Sequence, residues 1–114
     1  QRLQWMAWEH DGLLIRLPVD GAEMIAEGKF LHHCVGGYVD RMANGKTTIL
    51  LIRRLSDPDT PFYTLEWLNG RVQQCRTLRN ASYTEDEQVF SFVTAWTKEL
   101  AKKGKKKKSA TSAA

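Results

Sequence analysis

The sequence is poor in cysteine, with only Cys34 and Cys75 among its 114 residues. Two cysteines are too few for the disulfide framework that stabilises many small secreted domains. Both lie in segments whose patterns indicate regular secondary structure, so we expect reduced thiols. Free thiols are typical of a reducing compartment, and the sequence therefore predicts a cytoplasmic protein.

Long hydrophobic runs are also missing, which excludes a membrane-spanning helix of about 20 apolar residues. The first ten residues lack the basic start, apolar stretch and cleavage site of a secretory signal. We therefore expect a soluble protein with no membrane partner. The chain begins with Gln1 rather than Met, which suggests a piece of a longer parent protein.

The positive charge is concentrated at one end of the chain. The formal net charge is +4, but six of the lysines lie in 102–108, leaving 11 basic and 13 acidic residues in 1–101, a net charge of −2. The segment 102–114 has little apolar content and predicts a basic disordered tail. Attraction of this tail to the phosphates of DNA or RNA would be diffuse and sensitive to salt.

The N-terminal segment predicts a β-hairpin. Two short runs, 5–9 and 13–17, flank Asp11-Gly12, a dipeptide that favours the tight turn of a hairpin. Pro18 cannot donate a ladder hydrogen bond and should end the second strand.

Two helices are predicted after the hairpin. Asp20 and Glu23 have the spacing of a capping box, which predicts a short helix over 21–27 that Gly28 ends. Apolar residues then recur at three- and four-residue spacing over 30–44, which indicates a second helix.

Three strands are predicted in the middle of the chain. The β-branched run 47–55 is followed by 61–68, where aromatic and polar residues alternate, and by 71–78 after the Asn69-Gly70 turn. The short connections favour antiparallel neighbours, so these strands form a meander.

The last predicted element is a helix that begins at a capping box of Thr84 and Glu87 and runs to about Lys103. Its buried stripe is Val89, Val93, Trp96 and Leu100. The sequence as a whole therefore predicts a single α+β domain over 1–101. In it, an antiparallel sheet, made of the hairpin and the meander, packs with two central helices and a C-terminal helix.

The segment from Glu27 to Tyr38 reads Glu-Gly-Lys-Phe-Leu-His-His-Cys-Val-Gly-Gly-Tyr. It resembles the E-G-x-x-L-x-H-C-V-G-x-Y signature of the PcfJ-like family. The similarity continues at Gly45-Lys46, Arg53-Arg54, Thr64-Leu65-Glu66, Gln74, Arg76, Asn80 and Trp96. One departure is Thr77, which stands where a glycine is expected. The resemblance implies residence on conjugative plasmids, phages or other mobile elements, and it implies no particular reaction.

His33 and Cys34 are the signature residues with catalytic chemistry. A thiolate near a helix start is stabilised by the helix dipole and a neighbouring imidazolium, and Glu66 could support such a pair. Consecutive residues on a helix point about 100° apart, however, which favours a structural Cys34 buried as a small hydrophobe. No C-x-x-C or H-x-x-x-H spacing is present, so we expect neither a metal site nor a cofactor.

Polar residues on the predicted meander form a second candidate site. Strand alternation places Gln74 and Arg76 on one face. If Arg53 and Glu66 join them, with Asn80 nearby, a polar cleft forms in which arginine binds phosphate or carboxylate and amides read a base. The alternative is a solvated face with an ordinary cross-strand pair of Arg76 and Glu66.

Three hypotheses follow from these patterns. The first is a nucleic-acid-binding module of a mobile-element protein, with DNA or RNA as its partner. The second is a small hydrolase or transferase that uses Cys34 or His33. The third is an interaction domain that docks onto its parent protein or a mobile-element complex through Trp5 and Trp8.

Overall fold

The computed structural model describes residues 4–31, 42 and 44–113. Within these residues the chain forms one five-stranded sheet and two helices longer than one turn. They are β1 (Trp8–His10), β2 (Leu13–Arg16), α1 (Gly21–Leu31), β3 (Thr48–Arg54), β4 (Tyr63–Leu68), β5 (Arg71–Arg76) and α2 (Glu87–Ala113). Single 3-10 turns lie at Gln4–Met6, Leu78–Asn80 and Tyr83–Glu85.

The sheet is antiparallel throughout, and its strands follow chain order from β1 to β5. Both predicted tight turns have two consecutive residues with positive φ, at Asp11-Gly12 (54° and 86°) and Asn69-Gly70 (55° and 77°). This backbone matches the twist of the paired strands, which explains why these dipeptides occur there. The predicted hairpin, meander and α+β class are confirmed, and β2 pairs with β3 to join hairpin and meander into one sheet.

Helix α2 packs on one face of the sheet and completes the larger core. Its buried side chains are Val89, Phe92, Val93, Trp96 and Leu100. Trp96 is fully buried, and its indole N–H donates a 2.8 Å hydrogen bond to the carbonyl of Met6. The predicted buried stripe of this helix is confirmed.

Helix α1 packs on the opposite face. Met24 contacts Ile49 and Leu51 of β3 in a second, smaller cluster. At the start of the helix, Glu23 accepts two hydrogen bonds from the guanidinium of Arg16, at 2.7 and 2.9 Å, which fasten α1 to β2. The sheet therefore lies between two helices.

The prediction that Gly28 ends the first helix is wrong. Helix α1 continues to Leu31, and Gly28 is buried within it. Gly28 is buried, so tertiary packing outweighs the low helix propensity of glycine at this position. The second predicted helix, 30–44, lies mostly outside the described residues; Met42 is described and is helical.

The predicted start of the last helix also needs correction. The capping box is formed by Ser82 and Glu85 around the 3-10 turn. Helix α2 then begins at Glu87, and the carboxylate of Asp86 accepts a 3.1 Å hydrogen bond from the Val89 N–H. The sequence offers several Ser, Thr, Asp and Glu residues here, and only the path of the chain decides which of them cap the helix.

Two further boundaries differ from prediction. The backbone of α2 is helical to Ala113, beyond the predicted end at about Lys103. The assignment of 102–114 as a tail separate from the domain stays a prediction. Trp5 lies in a 3-10 turn and not on the first strand, which begins at Trp8.

No helix in the described part of the chain is long and apolar enough to cross a membrane.

Candidate functional site

Polar side chains from three neighbouring strands share the sheet face that α1 covers. The register pairs Thr64 with Arg76 and Glu66 with Gln74. Arg53 reaches the same face from β3. The structure therefore brings together four residues of the predicted polar cleft, Arg53, Glu66, Gln74 and Arg76. We call them, with Thr64, the polar face.

Arg53 is the most deeply buried member of the polar face. Its guanidinium donates two hydrogen bonds to the carboxylate of Glu27 on α1, at 2.6 and 3.0 Å. The hydroxyl of Thr64 donates a third to the same carboxylate, at 2.9 Å. The two charged side chains are only 3% and 0% exposed. Arg53 is thus buried and engaged by a carboxylate of its own domain.

Glu66 forms a second buried polar contact on this face. Its carboxylate accepts a 2.7 Å hydrogen bond from the hydroxyl of Thr47, just before β3. Gln74 lies directly opposite Glu66 on β5 and is half-buried, whereas Arg76 lies opposite Thr64. The cross-strand pair considered for Arg76 and Glu66 is therefore not a directly opposed pair.

Arg76 and Asn80 meet in a tight loop that follows β5. The guanidinium of Arg76 donates a 3.1 Å hydrogen bond to the carbonyl of Asn80. The loop is closed by the Thr77 N–H, which donates to the carbonyl of Ala81 at 2.8 Å. Arg79 and Asn80 both have positive φ, 56° and 66°. Such backbone is uncommon outside glycine, and here it turns the chain within a few residues.

Thr77 does not need the conformational freedom of glycine. Its φ of −114° is ordinary extended backbone. Its hydroxyl donates a hydrogen bond to the carbonyl of Phe62. The departure from the family pattern at this position therefore adds a side-chain contact between the loop and the start of β4.

An exposed row of arginines lies at the β5 side of the sheet. Arg71 begins β5, Arg76 ends it and Arg79 lies in the following loop, and all three side chains are exposed. β5 is the last strand of the sheet order, so this row lies at an edge. Residues 69–81 contain these arginines and no acidic residue. We call Arg71, Arg76 and Arg79 the arginine edge.

Of the two cysteines, only Cys75 lies among the described residues. His33 and Cys34 lie outside the described residues, and their catalytic role stays a prediction. Cys75 is buried in the core between the sheet and α2, and this burial raises the pKa of its thiol well above the usual range. Cys75 is therefore a structural residue. Among the described residues, no group of three or more His, Cys, Asp or Glu side chains could hold a metal ion.

The sequence patterns alone do not reveal that Glu27, Thr64 and Thr47 are buried polar partners. Glu27 was visible as the first residue of the family signature, and it lies on the same helical stripe as Met24 and Leu31, at three- and four-residue spacing. A charged residue on an apolar stripe predicts a buried partner. The sequence does not identify that partner, because Arg53 is 26 residues away.

Comparison with known proteins places the chain in a family. Uncharacterized protein Lin1253/Lin1744 of Listeria innocua serovar 6a is 38% identical over 80 residues, which are 68% of this chain and 18% of that relative. The chain thus spans less than a fifth of this relative's length. No solved structure matches this chain. The model of the family described as PcfJ-like protein matches residues 1–91, which include the signature and all five strands. The chain therefore belongs to the PcfJ-like protein family.

Proposed function

We propose that this PcfJ-like domain is a nucleic-acid-binding module that contacts the phosphate backbone through the arginine edge. The observation that carries the proposal is the exposure of Arg71, Arg76 and Arg79 along one sheet edge, with no acidic residue in 69–81. Exposed guanidinium groups form short, charge-assisted hydrogen bonds to phosphate oxygens. The family resemblance supports a place for this module in the DNA or RNA transactions of a mobile element.

Arg53 is excluded from the phosphate contacts that we propose. Its guanidinium is buried and bound to Glu27. Release of Arg53 for a ligand would leave the carboxylate of Glu27 buried without its counter-ion, which is strongly unfavourable. The role of Arg53 is therefore to hold α1 against the sheet, and the exposed arginines supply the attraction for phosphate.

The charge distribution favours contact of the nucleic acid with one edge of the domain over attraction to the whole domain surface. Residues 1–101 carry a net charge of −2, so most of the domain surface does not attract a polyanion. A ligand would meet favourable potential at the arginine edge and at the lysines of 102–108. Contacts with phosphates fix the position of a protein along the nucleic-acid backbone and carry little information about the base sequence. We therefore expect binding that depends on salt and only weakly on sequence.

The test is fluorescence anisotropy with labelled single-stranded and duplex DNA and RNA, at low and physiological salt. The variant Arg71→Gln/Arg79→Gln removes two charges and preserves the contact of Arg76 with Asn80. The matched control, Lys29→Gln/Lys46→Gln, removes two exposed charges that lie outside the arginine edge and outside the lysines of 102–108. We expect the first variant to bind at least tenfold more weakly than the control and with a smaller salt slope.

A second comparison separates the folded domain from the C-terminal lysines. In this variant, Lys105, Lys106, Lys107 and Lys108 are all changed to Gln in the full-length chain. Retained binding places the site on the domain. If binding disappears with these lysines, or if the arginine-edge variant and its control bind equally, the proposal is wrong.

A further inference from the structure

A stacked pair of aromatic rings, Phe90 exposed and Tyr83 half-buried, is linked through the backbone to the arginine edge. The rings of Tyr83 and Phe90 are stacked, with centroids 5.8 Å apart and planes inclined by 27°. Ser82, the residue before Tyr83, forms a β-bridge with Arg76. The residue next to one ring is therefore paired with the backbone of an arginine of the edge.

Phe90 is not required by the core of the domain. The buried stripe of α2 contains Val89 and Val93, whereas Phe90 is 46% exposed. Phe90 also begins a shallow groove along the outer face of α2. The groove is lined by Phe90, Ser91, Thr94, Ala95 and Lys98. This surface combines a large aromatic ring at one end, small side chains in the middle and Lys98 at the other end. Such a surface can accept a flat base and an adjacent phosphate.

The acidic residues around the ring pair are largely engaged in local structure. Glu85 accepts the Ser82 N–H in the capping box, and Asp86 accepts the Val89 N–H at the start of α2. Glu87 is exposed in the first turn of α2, where its negative charge disfavours a phosphate close to the rings. Phosphates are therefore favoured on the side of Arg76, with bases on the side of the rings.

We propose that Phe90, supported by Tyr83, stacks an unpaired base of a single strand whose phosphates lie on the arginine edge, so that the module prefers single-stranded to duplex nucleic acid. This inference rests on the proposed function. Stacking on an aromatic ring is open to any base, but it requires a base that is not already paired and stacked in a duplex. It therefore adds a preference that arginine–phosphate contacts alone do not supply.

The experiment compares three variants of the full-length chain by anisotropy with a labelled 12-nucleotide single strand and the matching duplex. Phe90→Leu keeps apolar bulk but removes the aromatic face, Phe90→Trp keeps a ring, and Ile25→Ala truncates an equally exposed apolar residue on α1. We expect Phe90→Leu to weaken single-strand binding roughly 5- to 100-fold. Duplex binding should be unchanged, and Phe90→Trp and Ile25→Ala should bind the single strand like the unmodified protein.

The outcomes distinguish this inference from the proposed function. If Phe90→Leu binds the single strand normally while Arg71→Gln/Arg79→Gln weakens binding, stacking is excluded and phosphate binding at the edge remains. If Phe90→Leu weakens both forms equally, the ring does not select single strands and the inference is wrong. If the unmodified protein binds neither form, both proposals are overturned. Circular dichroism of each variant checks that the fold is retained.

Discussion

The carboxylate of Glu27 and the guanidinium of Arg53 form a bidentate ion pair between α1 and β3, with both side chains withdrawn from solvent. Thr64 donates a third hydrogen bond to the carboxylate from β4. Two N–H groups of Arg53 are thus matched to two carboxylate oxygens, and the hydroxyl of Thr64 occupies a further lone pair. The first residue of the family signature therefore joins a helix to two strands.

The first prediction concerns this ion pair. Replacement of Glu27 by Gln leaves the Arg53 charge buried without its counter-ion and should lower the free energy of unfolding by about 3–5 kcal/mol, measured by urea denaturation. The double variant Glu27→Leu/Arg53→Met removes both charges and should lose less than the sum of the losses of Glu27→Leu and Arg53→Met. Equal and additive losses would show that the two charges do not interact.

A partly exposed pair between β2 and the same helix provides the control for that prediction. Arg16 and Glu23 also form a bidentate pair, but their side chains are 32% and 23% exposed. Solvent screens this interaction, so Arg16→Ala should cost only about 0–1 kcal/mol. A loss as large as that of Glu27→Gln would contradict the assignment of burial as the cause of the difference.

The second prediction concerns pH. The hydrogen bonds from Arg16, and then that from the Val19 N–H, lower the pKa of Glu23. A carboxyl whose pKa is lower in the folded than in the unfolded state contributes stability above its unfolded pKa and loses it as the pH falls through the folded value. The stability difference between the unmodified protein and Glu23→Gln should therefore be present at neutral pH and shrink below about pH 4. Urea denaturation across this range measures it, and a constant difference would contradict the assignment.

The third prediction concerns the thiols. Because burial raises the pKa of Cys75, its thiol should not react with Ellman's reagent in the native protein at neutral pH and should react fully in denaturant. The variant Cys34→Ser isolates Cys75 for this measurement. Fast reaction of Cys75 in the native protein would contradict its place in the core.

The same reagent tests the enzyme hypothesis when Cys75→Ser isolates Cys34. A nucleophilic Cys34 should react in the native protein, with a rate that persists below the usual thiol pKa of about 8.5. If Cys34 reacts only after unfolding, the hypothesis of a catalytic nucleophile is rejected.

The fourth prediction concerns the buried indole of Trp96. Replacement of Trp96 by Phe removes both ring volume and the hydrogen bond to the carbonyl of Met6. We expect a loss of about 2–4 kcal/mol in the free energy of unfolding, from the cavity and the unsatisfied carbonyl together. Trp8→Phe, at a half-buried position, should cost clearly less. Similar losses in the two variants would show that the Trp96 contact contributes little.

Much of the fold could be predicted because it depends on neighbours in sequence. The Asp11-Gly12 and Asn69-Gly70 turns require two residues with positive φ, and these dipeptides adopt that backbone readily. The apolar stripe of α2 follows from its helical spacing. The caps and helix boundaries were less predictable, as the buried Gly28 shows, because tertiary packing can outweigh a local preference for a helix end.

The candidate site was only partly predictable. Strand alternation was enough to place Gln74 and Arg76 on one face. It could not show that Arg53, which has the chemistry of a phosphate ligand, is bound by Glu27, or that Arg79 is exposed on the loop beyond β5. The residue type of an arginine does not show whether its anionic partner is a ligand or a carboxylate of the same chain.

The sequence by itself determined the hairpin, the meander, the buried face of the last helix and the family, because each depends on a pattern within a short stretch of chain. Only the tertiary structure decided which polar residues are buried in pairs and which remain exposed to a ligand. That division depends on contacts between residues far apart in sequence, such as Glu27 and Arg53, and on which strand becomes the edge of the sheet. Those contacts exist only once the helices have packed on its two faces.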